Sequence, residues 1–221
     1  MEPVLIFFAV LILIVSIFII SVRLDKKRTQ ALKQKAGMRG FDFQKKAGLE
    51  IIPSIDEFHL FSRGHSKRVR NLMQKDGIDS KEAIFDYIYT TGSGKNRSVH
   101  RQTVYLFHSE RLRLPAFAVR PEHLFHKIGQ MFGYQDIDFE QFPEFSKKFI
   151  LRGKDEAAIE KLFTQDVIGC FQQDKRVCAE STGKVLIVYW SGKRINPDHL
   201  FEQYETASKI FLTFQQRSEF V

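Results

Sequence analysis

Three stretches of this 221-residue chain hold residues whose types and spacing could do chemistry. The first is TTGSGKNRS, Thr90 to Ser98, which reads at a glance like a phosphate-gripping loop. Such a loop needs G-x-x-x-x-G-K-[ST] and a helix N-terminus just beyond it. Tyr89 stands where the first glycine belongs, Asn96 replaces the magnesium-binding hydroxyl, and a β-rich run follows. The stretch is therefore expected to be a hairpin tip whose glycines supply positive φ angles. The second stretch, RGHSKRVR, gathers Arg63, His65, Lys67, Arg68 and Arg70 around an expected helix start. A charge run of this kind is ordinarily a solvated helix face. Its chemical reading is an anion site for a lipid phosphate or an acidic partner. The third comprises His123 and His126, three apart on an expected helix, with Asp136, Asp138 and Glu140 alternating along an expected strand. Two imidazoles and neighbouring carboxylates could hold a metal. H-x-x-H is not the H-E-x-x-H of a zinc protease, however, and D-x-D-x-E also describes an exposed strand face.

Those residues need elements to position them, and the clearest element is not part of a globular fold. Val4 to Val22 is a 19-residue run without a charge, in which only Ser16 and Ser21 are polar. As a helix it would span roughly 28 Å, about the thickness of a bilayer's hydrocarbon core. The acidic start Met1-Glu2-Pro3 and the lack of an A-x-A-like site favour a retained anchor over a cleaved signal peptide. Nine Lys or Arg residues lie between positions 23 and 46, and none precedes the span. The positive-inside rule then places the N-terminus outside and the rest in the cytoplasm. After Lys46 the chain carries 25 basic and 23 acidic residues, so most of its net charge of +8 is juxtamembrane. A strongly basic nucleic-acid-binding domain is not indicated. The basic stretch suits anionic lipid headgroups instead.

The expected organisation is a transmembrane helix (1–22), a basic stalk and linker (23–49) and a cytoplasmic domain (50–221). Within the domain, FHLFSRG reads as a short strand and residues 66–75 as a helix, with Val69, Leu72 and Met73 at helical spacing. AIFDYIYTT and SVHRQTVYLFH read as a hairpin, and LPAFAVR as a further strand. A helix is expected after Pro121, then strand-like DIDFE and FSKKFIL, then an amphipathic helix from Asp155. RVCAE and KVLIVYW form a second hairpin, and Asn196-Pro197-Asp198 caps a last helix. FHLFSRG and KFILRG, each followed by helix and hairpin, suggest a weak β-α-β-β repeat. The pattern is α+β: an antiparallel sheet with helices covering one face. The 22 phenylalanines read as core, and Cys170 and Cys178 form neither a disulfide scaffold nor a zinc ribbon.

The strings FDYIYTTGSGKNRSVHRQTV, FGYQDIDFE and FSKKFILRG resemble a family of bacterial proteins of unknown activity, many with an N-terminal membrane helix. That resemblance implies a bacterial inner-membrane protein with a tethered domain and assigns no catalytic residue or cofactor. The expected function is a single-pass, membrane-anchored scaffold or regulator with a protein partner. The alternative is a membrane-surface enzyme using a metal held by His123, His126, Asp136 and Asp138.

Overall fold

The computed structural model describes residues 2–123 and 136–218. Helix α1 (Glu2–Met38) begins in the apolar run and continues unbroken through the basic stretch. From Ile6 onward it is long and apolar enough to cross a membrane, and its most apolar window is fully exposed. Eight strands follow: β1 (Asp42–Ala47), β2 (His65–Asp76), β3 (Ser80–Thr91), β4 (Ser98–Ser109), β5 (Leu114–Pro121), β6 (Phe149–Gly153), β7 (Val177–Gly183) and β8 (Val185–Trp190). They form a single sheet in the order β1-β2-β3-β4-β8-β7-β5-β6, with every neighbouring pair antiparallel. Helices α2 (His59–Ser62), α3 (Pro143–Ser146), α4 (Glu156–Leu162), α5 (Gln165–Gln173) and α6 (Leu200–Ser218) complete the α+β fold.

The sheet is covered on both faces, which explains why its central strands are so uniformly apolar. One core joins Ile84, Tyr105, Leu186, Val188 and Trp190 to α4, α5, α6 and the end of α1. The other joins Phe85, Tyr87, Leu106, Ile187 and Tyr189 to the segment 49–61. Successive residues of β8 thus feed opposite cores, and all six are buried. Asp155 caps α4 by accepting from the Ala158 N–H, and Asn196 likewise accepts from the Asp198 N–H ahead of α6.

Both hairpins and the last helix lie where the sequence places them, but several other expectations are corrected. Residues 66–75 belong to β2, not a helix. Register shifts between His65 and Arg68 and between Arg70 and Met73 insert an extra residue at each site. Ser66 and Asn71 take positive φ there, as bulged strands allow. The second bulge returns Val69 and Leu72 to the same core, so helical spacing arises inside a strand. FHLFSRG holds the one-turn α2, and the repeat argued from a strand there is absent. DIDFE forms no strand, although the Ile137 N–H donates to the Leu151 carbonyl at 2.8 Å. The helix from Asp155 breaks into α4 and α5 at Phe163-Thr164. The helix expected after Pro121 lies mostly outside the described residues.

The domain boundary also moves. The stretch taken as a linker holds β1, whose Phe43 pairs with Met73 and whose Lys46 pairs with Arg70. The stalk is part of the folded body too: Leu32, Ala36 and Phe41 are buried with Ile84, Phe201 and Ala207.

Candidate functional site: a basic cleft beside the apolar helix

The cleft is built around Asp86, a carboxylate in the apolar middle of β3 and almost wholly buried. It faces α1 because even-numbered residues of β3 point that way: Ile84 packs in the core shared with Leu32 and Ala36. Arg28 reaches it with both prongs of its guanidinium, Nε to Oδ2 at 2.8 Å and Nη2 to Oδ1 at 2.7 Å. Nη1 donates to the Ile195 carbonyl at 2.6 Å. Asn71 Nδ2 and Thr103 Oγ1 donate to the same carboxylate at 2.9 and 3.1 Å, and Thr103 Oγ1 also accepts from the Ile195 N–H. Thr29 Oγ1 donates to Asn71 Oδ1 at 2.9 Å. Four separate segments therefore meet on one carboxylate, and all are fixed by it.

Above this knot opens a cavity of about 320 Å³. Its walls carry Lys26 from α1, Lys45 from β1, Arg68 and Arg70 from β2, Arg101 from β4, and Arg194. Its two carboxylates are already engaged: Asp86 by Arg28, and Asp25 by Arg194 at 2.9 Å. Among the described residues, Lys26, Lys45, Arg68, Arg70 and Arg101 make no ion pair. The cavity is therefore an uncompensated positive pocket. Val22, the last residue of the apolar run, lies on its rim.

The structure divides the residues expected to bind an anion. Arg68 and Arg70 enter the cleft because the two bulges of β2 bring them opposite Ile88 and Asp86. Arg63 lies instead with its guanidinium over the Tyr89 ring at 5.5 Å. His65 sits at the hairpin tip, Nε2 lying 3.1 Å from the Gly92 carbonyl. Lys67 is half-buried on β2 and does not line the cleft. Sequence reasoning placed Lys26, Arg28 and Lys45 only in a basic stalk suited to anionic headgroups, and it missed Arg101 and Arg194, which come from elements far apart in the chain. Asp86 was the available signal, since an acid within AIFDYIY must be paired if the strand is buried.

The residues weighed for a metal do not converge among those described. His123 is exposed, His126 lies outside the described residues, and no group of three His, Cys, Asp or Glu side chains suited to a metal is present among the described residues. Asp136 Oδ1 accepts from the Leu151 N–H at 2.9 Å and so splints β6. Burial pushes its carboxyl up, and neighbouring Asp138 adds to that rise.

A second, mostly apolar cavity of about 210 Å³ opens near β5 and β7, between His59, Phe117, Gly153 and Glu180. Glu180 is fully buried; it accepts from Arg120, from the Tyr189 hydroxyl at 2.6 Å and from the Leu60 N–H at 3.1 Å. Burial pushes its pKa up, but Arg120 and these hydrogen bonds outweigh that and hold it below its ordinary value. His59 beside it is lowered from 6.5 to about 4, first by burial and then by Arg120. This cluster pins α2 to the sheet, and its charges are matched internally.

Fold and cleft together define the class: an α+β domain with an eight-stranded antiparallel sheet, clamped to the end of a long apolar N-terminal helix. The crystal structure of the mycobacterial trehalose monomycolate transport factor A, TtfA, shares that fold. The TM-score is 0.60 with 11% sequence identity, over 86% of this chain and 93% of that one. No protein-family model matches the sequence, and no curated protein matches it.

Proposed function

We propose that this protein is a single-pass membrane scaffold whose domain holds the phosphate-bearing headgroup of an anionic lipid in the cleft beside α1. The N-terminus lies outside and the domain in the cytoplasm, following the basic residues after Val22. The observation that carries the reading is the set of five unpaired cations gathered where the apolar run ends. Arginine and lysine donors in a partly enclosed cavity suit phosphate oxygens, and each well-placed cation contributes about 1 kcal/mol toward an anionic membrane surface. A fold shared with a trehalose monomycolate transport factor supports a lipid-linked role.

Native mass spectrometry of the detergent-purified full chain tests this directly, with phosphatidylglycerol and phosphatidylcholine as probes. Phosphatidylglycerol should bind preferentially. Replacing Arg68, Arg70 and Arg101 by Ala should remove roughly 3 kcal/mol, a loss on the order of 100-fold. Equal binding of the two lipids, or an unchanged triple variant, would overturn the proposal. A cytoplasm-active reporter fused after Val221 should work, and a periplasm-active one should not.

A further inference from the structure

We infer that the β3–β4 hairpin tip, Gly92 to Arg97, rests in the headgroup layer of the bilayer that α1 enters. The inference depends on reading α1 as a membrane span, but concerns a surface outside the cleft. Its first support is geometric. The helix is continuous from Val22 to Arg28, so those six residues place Arg28 about 9 Å along the axis from the end of the apolar run. There Arg28 is clamped to Asp86, which fixes the sheet at that distance.

The direction of the sheet follows from the cleft. On one side of Arg28, Leu32 and Ala36 pack in the core with Ile84 of β3; on the other, Asp25 and Val22 line the cavity with Ile88 of β3 and Arg101 of β4. Travel toward the bilayer is therefore travel along β3 from Asp86 toward Thr91. From Asp86 to Gly92 is six residues, or about 20 Å of strand. Even inclined at about 60° to α1, that length advances about 10 Å, comparable with the 9 Å separating Arg28 from the apolar boundary. A headgroup layer roughly 5–7 Å thick lies on the water side of that boundary, between it and the level of Arg28. The tip reaches it.

The second support is independent and chemical. Between Asp86 and Glu110 the chain has no acidic residue at all, while Lys95, Arg97 and Arg101 are basic. The exposed tip offers Ser93, Lys95, Asn96 and Arg97, with half-exposed Val99 just behind. Arg68 and Arg101 flank Ile88, two residues nearer the tip than Asp86. The opposite end is charge-matched instead: Asp76 stands opposite Lys81 and Glu82 opposite Lys75, while Arg111 pairs with Asp79 and Lys184 with Glu110. The unmatched positive charge of the sheet thus lies at the end toward α1's apolar segment. That is the arrangement an anionic bilayer surface attracts.

Site-specific fluorescence on the full chain, reconstituted in phosphatidylcholine–phosphatidylglycerol nanodiscs, tests the inference. Single cysteines replace exposed residues, as Ser93→Cys at the tip, Ile78→Cys at the far turn and Arg23→Cys at the helix exit; the native Cys170 and Cys178 are buried. A spin-labelled lipid headgroup should quench the label at 93 severalfold more than the label at 78, with position 23 also quenched. Quenching at 23 but equally weak quenching at 93 and 78 would overturn the tip contact and leave the membrane span standing. Absence of quenching at 23 would overturn the span, and the tip contact with it.

Discussion

Removing the guanidinium of Arg28 should unfold this protein more readily than any change to a surface charge. In Arg28→Ala, Asp86 stays where it is, 2% exposed, and loses the one ion pair it makes among the described residues. Breaking a buried ion pair by deleting one partner typically costs about 3–5 kcal/mol, because the remaining charge is left uncompensated. Asn71 and Thr103 still donate to Asp86, which offsets part of that loss. The Ile195 carbonyl, by contrast, loses its donor from Arg28. These opposing effects place the expected cost at about 3 kcal/mol. The assay is guanidinium-induced unfolding of the full chain in detergent, followed by the fluorescence of Trp190. That residue is the chain's sole tryptophan; it is buried and donates to Asp174 Oδ2 at 2.7 Å. Arg194→Ala is the control: its pair with Asp25 is substantially exposed and should be worth less than about 1 kcal/mol. The double variant Arg28→Met/Asp86→Leu should recover most of the loss, since apolar replacement of a buried pair is often neutral. If Arg28→Ala falls within about 1 kcal/mol of wild type, Asp86 is not held as the structure holds it and the reasoning fails.

Two further outcomes follow from the tip and from the second cavity. Gly92 has φ +68° and a Cβ there would collide with the Asn96 carbonyl oxygen, whereas Gly94 at φ +54° has open space around it. Gly92→Val should therefore destabilise more than Gly94→Ala, and exposed Lys95→Ala should change stability by less than about 0.5 kcal/mol. The same melting curves should show no shift with ATP and magnesium. His59 gives a pH dependence with a definite sign: its folded pKa is depressed from 6.5 to about 4, so the unfolded chain binds the proton first. Stability from this residue is complete above pH 6.5 and declines as pH falls toward 4, by on the order of 2–3 kcal/mol. The lowered pKa of Glu180 adds a further loss below its ordinary range. In His59→Gln the decline between pH 6.5 and 4 should shrink, and an unchanged slope would refute the assignment.

How much of this was legible depended on whether an element's own residues carried its signal. The β3–β4 hairpin was, because Ala83 to Thr91 and Ser98 to His108 are continuous β-rich runs around glycines at positive φ. The α6 cap was, because Asn196 and Pro197 act locally. Strand β2 was not: its bulges add residues at just the places that convert a period of two into a spacing of three. Strand β1 was not, because an edge strand exposing Lys45 and Lys46 has the composition of a linker. Part of the basic cleft was legible in the same way. RGHSKRVR marked Arg68 and Arg70, but the bulges decide that these two, and not Arg63, His65 or Lys67, face α1. Arg28 looked like one of nine topology-setting cations, since its partner lies 58 residues away.

That partner explains why the contact between α1 and the sheet is ionic at all. Beyond Arg28, the helix buries only Leu32 and Ala36, and so small an apolar strip would let a helix rotate or slide with little change in energy. Arg28 behaves differently: its donors are spent on Asp86 and the Ile195 carbonyl at fixed angles, while Thr29 engages Asn71 from the next position. A one-residue slip would turn α1 by about 100° and shift it about 1.5 Å, removing all of these bonds together. A buried pair of this kind contributes little to net stability against a hydrophobic equivalent, yet it admits a single register. Register is what matters for a domain on a helical tether, because it sets which edge of the sheet faces the bilayer. With Arg28 on Asp86, the cations of β2 and β4 stand beside Val22, where the apolar run ends, and the charge-matched β2–β3 turn lies at the other end of the strands.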